Sequence, residues 1–139
     1  MASLIYNSVL NDIARSNVDF DTDTFKTMLT TSAYTENKDT HAKRSDVTSE
    51  VTGTGYTAGG TTVAVTVAAI DTVNDRQVIT FASINWPSST ITARKAVTYK
   101  SRGGAAAADE LIFVNDFGAD VISTSGTFTI PACTITFQN

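Results

Sequence analysis

The chain has 139 residues, of which 42% are hydrophobic and 17% are charged, and its formal net charge is −4 at pH 7. This length allows one domain with a real core but excludes a catalytic domain joined to a separate accessory module. An acidic surface repels phosphate backbones, and no apolar run reaches the roughly 20 residues of a membrane-spanning helix. Composition therefore argues against nucleic-acid binding and against membrane insertion.

Cysteine content and the N-terminus narrow the class of protein further. The single cysteine, Cys133, excludes an intramolecular disulfide and a multi-thiolate zinc site, and its strand-like context predicts a buried, inert thiol. The first six residues lack the basic and apolar regions of a signal peptide. We therefore expect synthesis in the cytoplasm.

Residues 1–31 are predicted to form a short helix and a first strand. Apolar residues recur over residues 5–16 at the spacing of one helix face: Ile5, Val9, Leu10 and Ile13. Residues 24–31 have the composition of a strand. Residues 32–60 are polar and show little periodicity, so they are expected to form an extended arm or loop with a helical turn near residues 43–47. A segment of this kind usually binds something or is ordered by a neighbour.

Residues 61–139 are predicted to form the β core, because apolar and polar residues alternate there. Strands are expected near 63–67 and over 77–86, 91–100, 110–117 and 127–138. The expected breaks are Asn74-Asp75, Pro87-Ser88-Ser89, residues 101–109, Gly118 and residues 123–126, with Pro131 marking a bend or a sheet edge. The prediction is a single mainly β domain over 1–139: an antiparallel β-sandwich or small barrel with one short N-terminal helix and a long polar arm.

His41 is the first candidate for chemistry, since it lies among Asp39, Ser45 and Asp46, residue types that a hydrolytic triad uses. A triad is recognised by geometry, however, and no nucleophile elbow is present. Gly53-Thr54-Gly55 with Gly59-Gly60 resembles a phosphate-binding loop, but a strand pattern follows it where a helix is needed. We interpret His41 as a loop or interface residue and the glycines as backbone turns.

Three further patterns have a functional and a structural reading. Asp19, Asp21 and Asp23 alternate like the first ligands of a calcium loop, but Thr24 and Thr30 stand where that loop needs Gly and Glu, so only an adventitious cation site remains open. Arg102-Gly103-Gly104 is one copy of an RNA-binding tripeptide and is better read as a hairpin tip. Aromatic residues in alternating strands are usually core, which is our reading of Phe81, Trp86, Tyr99 and Phe113. The chain is thus predicted to be no enzyme and to hold no metal or cofactor.

Several motifs, taken in order, resemble the small virion structural proteins of tailed bacteriophages. The N-terminal motifs are Leu4-Ile5-Tyr6-Asn7-Ser8, Asp21-Thr22-Asp23-Thr24-Phe25-Lys26 and Tyr34-Thr35. The central ones are Asp39-Thr40-His41, Ser45-Asp46-Val47, Glu50-Val51, Gly53-Thr54-Gly55-Tyr56 and Gly59-Gly60. Later matches are Thr90–Val97, Tyr99-Lys100, Phe117-Gly118 and Ser123–Phe128, whereas Pro131-Ala132-Cys133 departs from the pattern.

This resemblance implies a decoration or cement protein on the outer surface of a phage capsid. Its implied partners are the major capsid protein and further copies of itself, with a homotrimer expected first and a dimer next. A head–tail connector or tail component is the alternative within the virion, and a carbohydrate-binding β-sandwich is the alternative of another class. The residues 2–6 and the arm are expected to make the contacts, with these residues foremost: Ala2, Ser3, Leu4, Ile5, Tyr6, His41, Lys43, Arg44 and Tyr56.

Overall fold

The computed structural model describes residues 3–139, which form two antiparallel sheets and one α-helix. The elements in chain order are β1 (Leu4–Ile5), α1 (Ser8–Ala14), β2 (Phe25–Thr30), β3 (Thr61–Val63), β4 (Val65–Val67), β5 (Arg76–Phe81), β6 (Ile84–Lys100), β7 (Leu111–Ile130) and β8 (Cys133–Gln138). One 3-10 turn, Arg44–Asp46, lies in the arm, and a second, Ala106–Ala108, lies between β6 and β7. The predicted fold class, mainly β and sandwich-like with one short helix, is confirmed.

The two sheets have the strand orders β1-β7-β6-β2-β3 and β4-β5-β8. Their inner faces enclose one continuous cluster of buried hydrophobic residues. Its centre is aromatic: the ring of Phe81 lies 6.0 Å from that of Phe25 and 4.8 Å from that of Phe113, both edge to face. Edge-to-face pairs of this kind add to the stabilisation from burial, because the positive ring edge meets a negative ring face.

Residues 76–138 form one long antiparallel ribbon that bends and so supplies strands to both sheets. Pairing runs from Arg76↔Gln138 to Phe81↔Cys133, and then from Ile84↔Ile130 to Tyr99↔Leu111. The bend comes at residues 82–83 on one side and 131–132 on the other. Pro131 lies at this bend, as the sequence predicts, because proline cannot donate to a ladder.

The structure corrects several predicted strand ends. The predicted strand 77–86 is two strands in different sheets, with the change of sheet at residues 82–83. Pro87-Ser88-Ser89, Gly118 and residues 123–126 do not end strands; they are register shifts inside β6 and β7. Between the pairs Ala93↔Val121 and Lys95↔Asp116, β6 has one residue and β7 has four. Such bulges use the same residues as turns, which is why local sequence cannot tell them apart.

The arm, residues 32–60, has little regular structure but contributes to the core. Tyr34 and Val51 are buried in the hydrophobic cluster, and isolated bridges join Thr30 to Glu50 and Thr54 to Thr90. Residues 32–60 and Tyr6 therefore have roles inside the domain. Because the arm covers the sheet, both faces of residues 95–100 are buried, although alternation in the sequence predicted one exposed polar face.

Candidate partner-binding surface

Tyr6, Tyr34 and His41 form a hydrogen-bonded chain where β1 meets the arm. The hydroxyls of Tyr6 and Tyr34 lie 2.8 Å apart, and the Tyr34 hydroxyl is 3.0 Å from Nδ1 of His41. Burial raises the pKa of both tyrosines, so their hydroxyls stay protonated. Within residues 3–139, Nδ1 of His41 is hydrogen-bonded to the Tyr34 hydroxyl and to the Asn37 backbone N–H, and neither group belongs to a serine or a cysteine. In this arrangement the bond between Tyr34 and Tyr6 joins the arm to the N-terminal segment, and His41 binds the Tyr34 hydroxyl from within the arm.

Lys95 and Glu36 form a buried ion pair that attaches the arm to β6. Their side chains are only 4% and 0% exposed. The Lys95 ammonium also donates to the Tyr34 carbonyl over 2.7 Å and lies 5.7 Å from the centre of the Tyr34 ring. A buried charge is tolerated only where it is paired and hydrogen-bonded, so this contact selects one position of the arm on the sheet.

Lys43 and Arg44 are paired with acidic residues that immediately precede β7. Nζ of Lys43 is 3.0 Å from Glu110, and Nε of Arg44 is 2.7 Å from Asp109. The Arg44 guanidinium also lies 5.1 Å from the centre of the Tyr99 ring. Both cations are thus engaged inside the domain, although they keep partly exposed edges.

Tyr56 and the glycine-rich segment form a second internal network. The Tyr56 hydroxyl donates to Glu50 over 2.7 Å and accepts from the Leu29 backbone over 3.0 Å. The same Glu50 oxygen accepts from the Gly59 backbone, and the Tyr99 hydroxyl donates to the Gly59 carbonyl over 2.7 Å. A backbone N–H that would face a phosphate therefore binds a carboxylate of the chain itself. This supports the turn interpretation of the glycines.

The alternating aspartates close a turn on themselves. The Asp21 backbone donates to Asp19, and the Asp19 backbone donates to Asp23 over 2.8 Å. The hydrogen bond from the Asp21 backbone is the main reason that the pKa of Asp19 is lowered. Asp23 also pairs with Lys100 over 2.8 Å. Within residues 3–139, no group of three or more His, Cys, Asp or Glu side chains could hold a metal ion.

An apolar groove of about 360 Å³ lies between the edges of the two sheets. Its walls are β1 and the start of β8, with part of β7 as its floor, and its lining includes Leu4, Ile5, Val114, Cys133 and Ile135. Of the predicted contact residues, Ser3, Leu4 and Ile5 line this groove, while Ala2 lies outside the described residues. Partial burial raises the pKa of the Cys133 thiol, which lines the groove and is not fully buried, although the sequence predicted a buried thiol.

The hairpin between β4 and β5 exposes apolar side chains that our sequence analysis missed. Ile70 is 67% exposed and Val73 88% exposed. Asp71 stabilises this hairpin, because its carboxylate accepts hydrogen bonds from the Val73 backbone N–H over 3.2 Å and from Nε of Arg76 over 2.9 Å. Hydrogen bonds, first that from the Asn74 side chain, lower the pKa of Asp71 to about 2. The available signal in the sequence was the presence of Ile70 and Val73 within a polar turn segment, residues 70–75.

Trp86 and Tyr99 are buried, as are Phe81 and Phe113, which confirms that these aromatics are core. An exposed aromatic platform for sugar rings would need Trp86 and Tyr99 at the surface. The Arg102 guanidinium forms an ion pair with Glu110, in which Nη2 lies 2.9 Å from Oε1.

Comparison of the chain with known proteins identified no relative. No protein-family model, curated protein or solved structure matches this chain. Among residues 3–139, no helix has the length and apolar character needed to cross a membrane.

Proposed function

We propose that this protein is a virion structural protein that decorates and stabilises the outer surface of a bacteriophage capsid. The class of protein, a phage virion structural protein, comes from the resemblance of the sequence motifs. The observation that carries the proposal beyond the resemblance is the hairpin, hydrogen-bonded through Asp71, that exposes Ile70 and Val73. Large apolar side chains held outward by an ordered turn suit insertion into an apolar pocket of another subunit.

The internal networks support the same proposal, because they preorganise the surface. The arm carries much of the family-like pattern, and its polar side chains are bound within the domain: Tyr34, Glu36, His41, Lys43, Arg44, Glu50 and Tyr56. A surface that is already ordered loses less conformational entropy on binding, which raises affinity. The predicted contacts Ser3, Leu4 and Ile5 stay predictions, and they would act at the groove.

The mechanism would be mass action. A protein that binds the assembled shell and not its dissociated subunits stabilises the shell in proportion to the logarithm of its concentration. Contacts to several capsid subunits would multiply weak binding through effective concentration. An acidic exterior suits the outer face of the shell, away from packaged DNA.

The experiment is co-sedimentation of the purified chain with shells of the phage that encodes it, before and after capsid expansion. We expect binding to expanded shells, and we expect Val73→Asp to weaken it at least tenfold, since a carboxylate would enter an apolar pocket. Leu10→Asp is the matched control, because Leu10 is also exposed but lies on α1. No binding by the wild-type chain, and no copies in purified particles, would refute the proposal.

Copy number separates decoration from the alternative location within the virion. A decoration protein should be present in hundreds of copies per particle, a number comparable to that of the capsid subunits, because it binds across a multivalent surface. A head–tail connector or tail component would be present as one small ring. Quantification of purified particles against the major capsid protein measures this directly.

A further inference from the structure

Strand β8 is the edge of the three-stranded sheet, and no other strand of residues 3–139 pairs with its outer side. One hydrogen bond shows which residues of β8 face β5: the Asn139 backbone N–H donates to the carbonyl of Asp75, the residue opposite it, over 3.0 Å. In an antiparallel pair, alternate residues bond to the partner and the others point away. Thr134, Thr136 and Gln138 therefore direct their backbone N–H and C=O groups outward.

Within the part of the chain that the structure describes, this edge has none of the usual protections against pairing. Natural edge strands carry lysine, proline, a bulge or a covering loop, because open edges otherwise recruit other strands. Residues 133–138, Cys-Thr-Ile-Thr-Phe-Gln, contain no charge and no proline, and their pairing with β5 is regular. The edge is also electrostatically neutral, so two copies of it do not repel each other.

We propose that a second copy of this chain adds its own β8 to this edge, forming an antiparallel dimer with Thr136 on the twofold axis. The register follows from the backbone. Only outward-facing residues can exchange hydrogen bonds, so even-numbered residues must pair with even-numbered ones. Pairing Thr136 with Thr136 also pairs Thr134 of each copy with Gln138 of the other. Among the allowed registers, this is the one in which all three outward-facing residues form hydrogen bonds.

The side chains on the inner face of β8 fit the same register. Phe137 is 39% exposed, and in this register it lies directly opposite Ile135 of the second copy. Ile135 lines the apolar groove, next to Leu4 and Ile5 of its own chain. Antiparallel pairing keeps the inner faces of both strands on one side of the shared sheet, so each Phe137 ring projects toward the groove of the other copy. The same edge thus carries both the Phe137 ring and the groove that accepts this ring from the other copy, as a twofold interface requires.

A cysteine at the axis tests the register. In a Cys133→Ala background, Thr136→Cys should form an intermolecular disulfide under mild oxidation, because hydrogen-bonded antiparallel pairs have Cα atoms about 5.5 Å apart, within the disulfide range. Thr134→Cys in the same background is the matched control. The two Thr134 residues would be offset by four positions, about 14 Å, and should not cross-link. Equal cross-linking of both variants, or none in either, overturns the proposal.

Measuring the oligomeric state in solution tests the proposed dimer without cross-linking. The wild-type chain should sediment as a concentration-dependent dimer. Thr136→Pro should fold, since the Thr136 N–H makes no bond to β5, yet it should weaken the dimer at least tenfold. Phe137→Ser should weaken it as well, whereas Ile122→Ser, an exposed apolar site in the other sheet, should not. A wild-type monomer, a trimer unaffected by these variants, or capture of a strand from a different protein by this edge would each refute it.

Discussion

At the residue scale, the polar side chains of the motif segments act mainly as internal anchors. Lys95 shows this clearly. Alternation places Lys95 on the same face of β6 as Val97 and Tyr99, and the arm covers that face and supplies Glu36 and the Tyr34 carbonyl as partners. A buried pair of this kind contributes little net stability compared with apolar side chains, but it penalises every arrangement that leaves either charge unpaired. It therefore specifies where the arm lies.

Removing one partner of this pair should destabilise the protein strongly. Lys95→Met leaves the Glu36 carboxylate buried and unpaired, and we expect a loss of about 3–5 kcal/mol in the free energy of unfolding, measured by urea denaturation. The double variant Lys95→Met/Glu36→Leu should recover much of that loss. Lys38→Met, at an exposed position of the same arm, is the control and should change little. A double variant as unstable as the single one would contradict this account.

Glu110 should make stability depend on pH. Burial alone would raise the pKa of Glu110, but the hydrogen bond from Arg102 and the contact with Lys43 lower it below its usual 4.5. A group with a lowered folded-state pKa stabilises the protein above its unfolded-state pKa, and the stabilisation is lost as pH falls through the folded-state value.

The wild type should therefore lose stability as pH falls below about the usual glutamate value, and Glu110→Gln should lose less over the same range. Urea midpoints at a series of pH values measure the difference. Parallel pH profiles for the two proteins would show that Glu110 has no such role.

At the element scale, the arm is ordered although it contains almost no regular structure. Its backbone bonds to the sheets at several points: the Val51 N–H donates to the Leu29 carbonyl, and the Leu111 N–H donates to the Ala42 carbonyl, each over 3.0 Å. The arm ends at Gly60, where φ is +73° and the backbone approaches β2 closely. Both the conformation and the approach need a residue without a side chain.

Gly60→Ala should therefore be severely destabilising. An added Cβ would lie 1.8 Å from the Thr27 carbonyl oxygen, and the strained φ adds to that clash. Gly104→Ala is the matched control, because no atom lies within 4 Å of its added Cβ and its φ is not positive. Thermal unfolding followed by circular dichroism compares the two. A folded Gly60→Ala protein with unchanged stability would contradict the described path of the arm.

At the scale of the whole molecule, the arm, the ribbon and the N-terminal segment share one core. Tyr6, Tyr34 and Val51 lie in the same buried cluster as the strands of both sheets. A segment that contributes side chains to a core should open only when that core opens, because local opening would expose the same apolar surface.

Hydrogen exchange should show this coupling. We expect the amides of Arg44 and Val51, which donate to Asp109 and Leu29, to exchange at the rate set by global unfolding. Amides of Gly103 and Gly104, at an exposed loop between β6 and β7, are the internal control and should exchange quickly. Fast exchange throughout residues 32–60 would show that the arm opens independently.

Local patterns in the sequence were enough for some features. Alternation with period two identified a mainly β chain, and Pro131 marked the bend of the ribbon. The spacing of Ile5, Val9, Leu10 and Ile13 indicated a helix, although Ile5 lies in β1 and Leu10 is exposed. These properties depend on neighbours a few residues apart, so they can be read without a structure. The same holds for the aromatic core, since large apolar residues in strands are rarely left outside.

Pairing between distant residues decided the rest. Whether Gly118 ends a strand or sits in a bulge depends on the register of β7 against β6, and whether Lys95 is a surface or a buried charge depends on the path of the arm. The outward direction of the Thr136 backbone groups likewise depends on the register of β8 against β5. The sequence by itself determined which segments extend and which turn. The tertiary structure decided which faces are covered, because burial is a property of two segments brought together and not of either one alone.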